Sequence, residues 1–116
     1  MPQATFRHGD PLMIDYTPAA NAAAGDVVLL GNTAGICCVI AHDPLVSATP
    51  AAVAAGGGVY DVVSLQNSAN GTKVWWDDSA NKVTTTSTNN ALFGFIVSGG
   101  AAGANTTVKA LHQPYV

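Results

Sequence analysis

The chain has 116 residues, the size of one compact domain, with only 9% charged side chains and a net charge of −3. All seven acidic residues are Asp, the four cations (Arg7, Lys73, Lys82 and Lys109) are scattered, and the isoelectric point is near 5.2. That balance argues against nucleic acid as a partner, because phosphate binding needs clustered Lys and Arg, and the absence of Glu beside abundant Gly, Thr, Asn and Val argues against a helical protein.

From the start of the chain, Thr5–His8 and Leu12–Tyr16 read as short strands around the turn Gly9-Asp10-Pro11. The first fifteen residues carry no continuous apolar run of the kind an export signal needs. No later segment approaches the roughly 20 apolar residues of a membrane span. Ala19–Ala24 and Ala51–Ala55 are the only helix-compatible stretches; Pro18, Gly25, Pro50 and Gly56-Gly57-Gly58 bound them. Segments this short do not offset the cost of helix nucleation, so both read as loops with at most one helical turn. Val27–Leu30 and Ile36–Ala41 read as strands apolar on both faces, and therefore covered on both. Asp43-Pro44 ends the second of them.

Val59–Leu65 alternates, with Val59, Asp61, Val63 and Leu65 on one face and Tyr60, Val62 and Ser64 on the other. Three strands then follow at close spacing: Gly71–Asp78, Lys82–Thr86 and Ala91–Val97. In the second, Lys82, Thr84 and Thr86 face one way, a composition suited to a half-solvated pleat. In the third, Phe93 and Phe95 share a face, with Leu92 and Ile96 toward the core. Thr107–His112 is the last strand. Turn signals spaced by about 8–12 residues predict an all-β fold, a small single-domain sandwich or barrel of about seven to nine short strands with little or no helix.

The residues offer little chemistry. Cys37 and Cys38 point to opposite faces of one strand and read as buried free thiols. His8, His42 and His112 lie far apart, and no metal-ligand spacing occurs. Asp77-Asp78-Ser79-Ala80-Asn81 reads as a turn whose side chains bond the local backbone. No nucleophile, base and orienting group come in recognisable order. The expectation is a protein without catalytic residues, metal or cofactor. With so few charges, uncharged surface is left for contact, which favours an oligomer or a protein docked on a larger assembly. Adjacent Trp75 and Trp76 put one ring inward and one outward on a strand. The outward ring is open to three roles: cover by a neighbouring loop, a protein interface, or stacking against a sugar ring. Trp75, Trp76, Phe93, Phe95 and Tyr115 are the candidate interface residues.

The order of these runs resembles the phage capsid cement, or head decoration, proteins. The residues that carry the likeness are Gly71-x-Lys73-Val74-x-Trp76-Asp77, Lys82-Val83-Thr84-Thr85, Gly94-x-x-Val97 and Thr107-Val108-x-Ala110-Leu111. Gly58–Val62 resembles the preceding strand, and Gly35-Ile36 with Ala41 an earlier one. The likeness covers residues 25–112, the β-rich domain, leaving 1–24 as an N-terminal arm or first strands and 113–116 as a tail. It implies a structural virion protein on the capsid exterior that bridges major capsid protein subunits and stabilises the shell. It also implies a homo-oligomer, a trimer favoured over a dimer, with neither membrane nor nucleic acid as partner. The alternative is a carbohydrate-binding or adhesive β-module displayed on the virion.

Overall fold

The structure is a computed structural model that describes residues 3–30, 38–65, 69–99 and 105–114. These form ten strands and no helix: β1 (Thr5–His8), β2 (Leu12–Tyr16), β3 (Val27–Leu29), β4 (Cys38–Ile40), β5 (Ala51–Gly56), β6 (Val59–Ser64), β7 (Lys73–Asp77), β8 (Lys82–Thr84), β9 (Ala91–Ser98) and β10 (Thr106–His112). Asn81, Asn89 and Asn105 take positive φ (57°, 60° and 58°) in the turns between the later strands. Asn tolerates that conformation better than other side chains with a Cβ.

Strands β6, β10, β9, β7 and β8 pair in that order. β8 then returns to β6, with Ser64 opposite Val83 and the Leu65 N–H donating to the Val83 carbonyl at 2.8 Å. The sheet closes on itself as a small barrel, and β1 adds antiparallel to β6. The alternation of β6 decides what fills it: Tyr60, Val62 and Ser64 point inward and are buried. Trp76, Phe93, Ile96, Val74 and Val83, all without exposure, complete the core. Thr84 lies opposite Trp75 on the outer face but, against its expected solvation, is covered and only 2% exposed.

The other four strands form a sheet in the order β2-β5-β4-β3. Its inner face, with Val27, Cys38, Ile40 and Ala54, joins the barrel core. Its outer face, with Val39, Ala41, Val53 and Ala55, is a second cluster with Leu45, Ile14 and Tyr16. The connections that follow β2 and β4 close over that face, where Ala22 and Leu45 exchange two backbone hydrogen bonds (3.1 and 2.7 Å). Both faces of the apolar strand β4 are therefore covered, and Cys38 is fully buried. Cys37 lies outside the described residues.

One expectation fails in this sheet. Ala51–Ala55, read as a loop with at most a helical turn, is strand β5 and brings the total to ten, above the seven to nine expected. Alanine has no intrinsic strand preference. Here tertiary context overrides propensity: β5 pairs with β2 along its length and touches β4, and its small side chains are buried from Val53 to Ala55.

The two sheets are joined by two chain segments that run side by side. β1 continues into β2 while β5 continues into β6, so each crosses from one sheet to the other. At the crossing the backbones nearly touch. A Cβ on Gly9 would lie 2.8 Å from the Gly58 Cα, and one on Gly57 2.7 Å from the Asp10 carbonyl oxygen. Within the segment read as arm or first strands, β1 and β2 thus each pair in a different sheet.

Candidate docking surface

The predicted aromatic residues separate into two groups. Trp76 is fully buried, its ring centroid 6.1 Å from that of Phe93, and its indole N–H donates to Asp78 Oδ1 at 3.2 Å. Phe93 is also fully buried, contrary to its expected place beside Phe95. The reason is a bulge. One step on β7, from Val74 to Trp75, spans two on β9, from Gly94 to Leu92, so Phe93 is an extra residue in the ladder. A second bulge follows, where Lys109 to Ala110 on β10 spans Ser98 to Ile96. Strict alternation is lost, and Phe93 and Ile96, three apart, both face the core. Trp76 and Phe93 therefore cannot line a surface of this fold. Tyr115 lies outside the described residues.

Gly94 permits the first bulge. A Cβ there would sit 1.8 Å from the Leu111 carbonyl oxygen, well inside contact distance. Only glycine lets β9 approach β10 this closely.

Trp75 and Phe95 remain, half-buried on the outside of the barrel. Strand register shows what surrounds them. Val59 on β6 is opposite Leu111 on β10, Leu111 opposite Phe95 on β9, and Phe95 opposite Lys73 on β7. In the next row Leu92 is opposite Trp75, and Trp75 opposite Thr84. Directly opposed residues share a face. Val59, Leu92, Trp75, Phe95 and Leu111, all half-buried, thus form one apolar area across four strands, with the exposed Lys73 at its edge. Leu92, expected toward the core with Ile96, is turned outward by the same bulge, and Val59 and Leu111 were missed from sequence. The β6 alternation carried a signal for Val59, but the cross-strand register that joins the three is not written in any one segment.

The charges beside this area are specific. Asp61, also on the outer face of β6, accepts from Arg7 Nε at 2.5 Å and from Lys109 Nζ at 3.1 Å. Burial pushes the Asp61 carboxyl up, but the hydrogen bonds and charges of Arg7 and Lys109 outweigh it and hold it below the usual carboxylate range. Lys82 donates to Asn105 Oδ1 at 3.1 Å. The Lys73 side chain makes no hydrogen bond or ion pair among the described residues. Asp77 accepts from the Ser79 hydroxyl (2.7 Å) and the Ser79 and Ala80 N–H groups (3.1 and 3.2 Å), which lower its pKa. That is the turn chemistry expected of this carboxylate.

The buried polar groups serve packing. His112 Nε2 is 2.9 Å from the Cys38 carbonyl, which can only accept, so Nε2 carries the proton and ties β10 to β4. Its Nδ1 has no partner, and the ring lies against Tyr60 and Phe93 (centroids 5.8 and 5.1 Å). Burial pushes this imidazole down to about 4, against the hydrogen bond to Cys38; nearby His42 lowers it further. The Tyr60 hydroxyl shares a 2.5 Å hydrogen bond with His42 Nε2, and burial raises its pKa. Among the described residues no three His, Cys, Asp or Glu side chains converge as metal ligands.

The described residues form a small all-β barrel with a flanking sheet, and Trp75 and Phe95 face outward from it. The sequence profile of the phage cement proteins matches residues 6–111, and the chain belongs to that family. The match begins within β1, ahead of the stretch that carried the sequence likeness. No curated protein and no solved structure matches the chain significantly. Membership makes it a virion protein with a structural, capsid-stabilising role.

Proposed function

We propose that this protein binds the outer surface of an assembled phage head and stabilises it by bridging neighbouring major capsid subunits, with the apolar face around Trp75 and Phe95 as a principal contact. The observation that supports this contact is the five-residue apolar area, which spans four strands of a closed barrel. Aromatic residues in such a setting contribute disproportionately to protein interfaces. A ligand that binds only the assembled lattice stabilises it by mass action, and repeated copies add through avidity. In this reading the protein sits as a homo-oligomer, a trimer before a dimer, at local symmetry axes.

The test uses heads assembled without the protein. Purified protein is expected to bind them and raise their thermal disruption temperature, while Trp75→Ala and Phe95→Ala bind less although the free protein loses no more than about 1 kcal/mol of stability. Failure of the wild type to bind any head lattice would falsify the proposal. A glycan array with the same variants addresses the sugar-binding alternative, since Trp75 is the outward tryptophan. A glycan signal lost in Trp75→Ala would favour that module instead.

A further inference from the structure

The four-stranded sheet ends on one side in β3, whose outer edge pairs with no other strand among the described residues. Its register with β4 shows which backbone groups face that edge. The Ala41 N–H donates to the Asp26 carbonyl at 3.0 Å, so Asp26 and Ala41 form a bonded position of the ladder. Bonded and unbonded positions alternate in an antiparallel pair. Val28 is therefore bonded to Val39, whereas Val27 and Leu29 turn their N–H and C=O groups away from β4. The partner strand agrees: the Cys38 carbonyl, opposite Leu29, is taken by His112.

The first residues of the chain cover only the start of this edge. The Ala4 N–H donates to the Gly25 carbonyl at 2.9 Å, and Gln3 Oε1 accepts the Val27 N–H at 2.8 Å, standing where a strand carbonyl would. Leu29 has no such partner among the described residues. β3 is short but carries neither the Lys nor the Pro that protect many free edges. A cleft of about 400 Å³ opens beside it, lined by Val27, Val28 and Leu29 and by small side chains such as Ala20. Two carboxylates, Asp26 and Asp78, also line the cleft, and no Lys or Arg does. Each uses one oxygen internally, Asp26 for the Ala23 N–H and Asp78 for the Trp76 indole. The other oxygen of each makes no hydrogen bond among the described residues.

An unpaired edge offers hydrogen bonds to extended backbone, small walls leave room for a second chain, and two carboxylates without a cation favour a basic one. We propose that the cleft takes an extended basic segment of the major capsid subunit, added to the sheet as a strand beside β3. Leu29 N–H and C=O pair with its backbone, and Asp26 and Asp78 receive its Lys or Arg side chains. None of the five apolar residues of the barrel face lines this cleft, so the contact is a separate one. It rests on the reading that the protein binds assembled heads.

The experiment follows amide exchange at β3, residue by residue, in the free protein and in the protein bound to heads assembled without it. Overlapping synthetic peptides of the major capsid protein are titrated in parallel by fluorescence anisotropy. In the free protein the Leu29 amide is expected to exchange fast and the Val28 amide slowly. On heads, and with at least one basic peptide, Leu29 becomes protected. Ala20→Arg, at an exposed position and expected to fold, fills the cleft with a cation and abolishes peptide binding. Asp26→Asn combined with Asp78→Asn keeps both internal acceptors, removes the charge, and should weaken the peptide by about tenfold. A Leu29 amide already slow in the dilute free protein means that the chain itself covers the edge, and overturns the proposal. Protection that rises with protein concentration alone assigns the edge to a second copy and does the same. Heads bound with Leu29 exchange unchanged, or with Ala20→Arg binding like the wild type, keep the head reading and remove the added strand. A peptide that protects Leu29 while intact heads do not bind keeps the added strand and removes the head reading. Binding of neither removes both.

Discussion

The barrel and the four-stranded sheet are packed with opposite kinds of side chain. The barrel packs Trp76, Tyr60, Phe93, Ile96 and His112 into its interior, and irregularities in β9 let them fit. The sheet is built from Ala54, Ala55, Val53, Val39 and Ala41, and relies on close approach of backbones. Large side chains bring most of their stabilisation from apolar area removed from water, at about 25 cal/mol per Å². Small ones bring less each and depend on having no gap to fill. The barrel should therefore be sensitive to deletion of atoms and the sheet to their addition.

The largest effect expected is at Gly94, the exception to that rule. Gly94→Ala puts a methyl group into the Leu111 carbonyl, so β9 and β10 must separate and Phe93 loses its place inside. A loss of more than about 4 kcal/mol is expected, the range reserved for named structural faults. Soluble yield and urea denaturation measure it; a near-normal midpoint would mean that β9 runs without the bulge.

Deletion inside the barrel comes next. Trp76→Ala should cost about 3–5 kcal/mol. The adjacent Trp75→Ala, on the outer face, should stay within about 1 kcal/mol in the free protein. Urea titration of both variants checks the difference, and equal losses would place both rings inside.

The junction between the two regions responds to pH. His112 is bonded to Cys38 across it and buried, with a folded pKa of about 4 against 6.5 for the unfolded chain. The unfolded state therefore binds the proton more tightly. Stability is full above pH 6.5, falls as pH drops through the window from 6.5 to 4, and levels off below it, by about 3 kcal/mol in all. Asp61 acts in a separate window, because its lowered pKa removes stability only at more acidic pH. Denaturation midpoints across this range should show the first loss in the wild type and a flat profile in His112→Gln, whatever the absolute stability of that variant.

The two regions also differed in how far their sequence showed the fold. Strands β6, β7, β9 and β10 carry alternating or aromatic patterns between clear turn residues, and one segment at a time was enough to place them. β5 carries no such pattern: its alanines favour a helix locally, and only pairing with β2 and β4 makes it a strand. That Trp76 is the inward ring came from the structure; that one of Trp75 and Trp76 points inward and the other outward followed from strand period alone. Phe93 did not, because a bulge shifts the period by one and its cause, the approach of Gly94 to Leu111, lies between strands distant in sequence. The same shift turns Leu92 outward against its expected place toward the core, and Val59 and Leu111 were missed because they are neighbours of Trp75 and Phe95 only through register.

The smallest effect is the one that tests the sheet directly. Ala54 is fully buried in β5, opposite both Met13 and Ile40, and its side chain faces the barrel core. Ala52, two residues earlier on the same strand, is exposed. Valine at either position suits a strand better than alanine, so local preference alone predicts that both substitutions are harmless or favourable. Packing predicts a difference. Ala54→Val should cost about 1–3 kcal/mol by forcing methyl groups between the sheet and the barrel, and Ala52→Val should be neutral or slightly stabilising. If urea denaturation shows Ala54→Val to be as stable as wild type, the gap between the two regions is loose, and the alanines of β5 are there for a reason other than close approach.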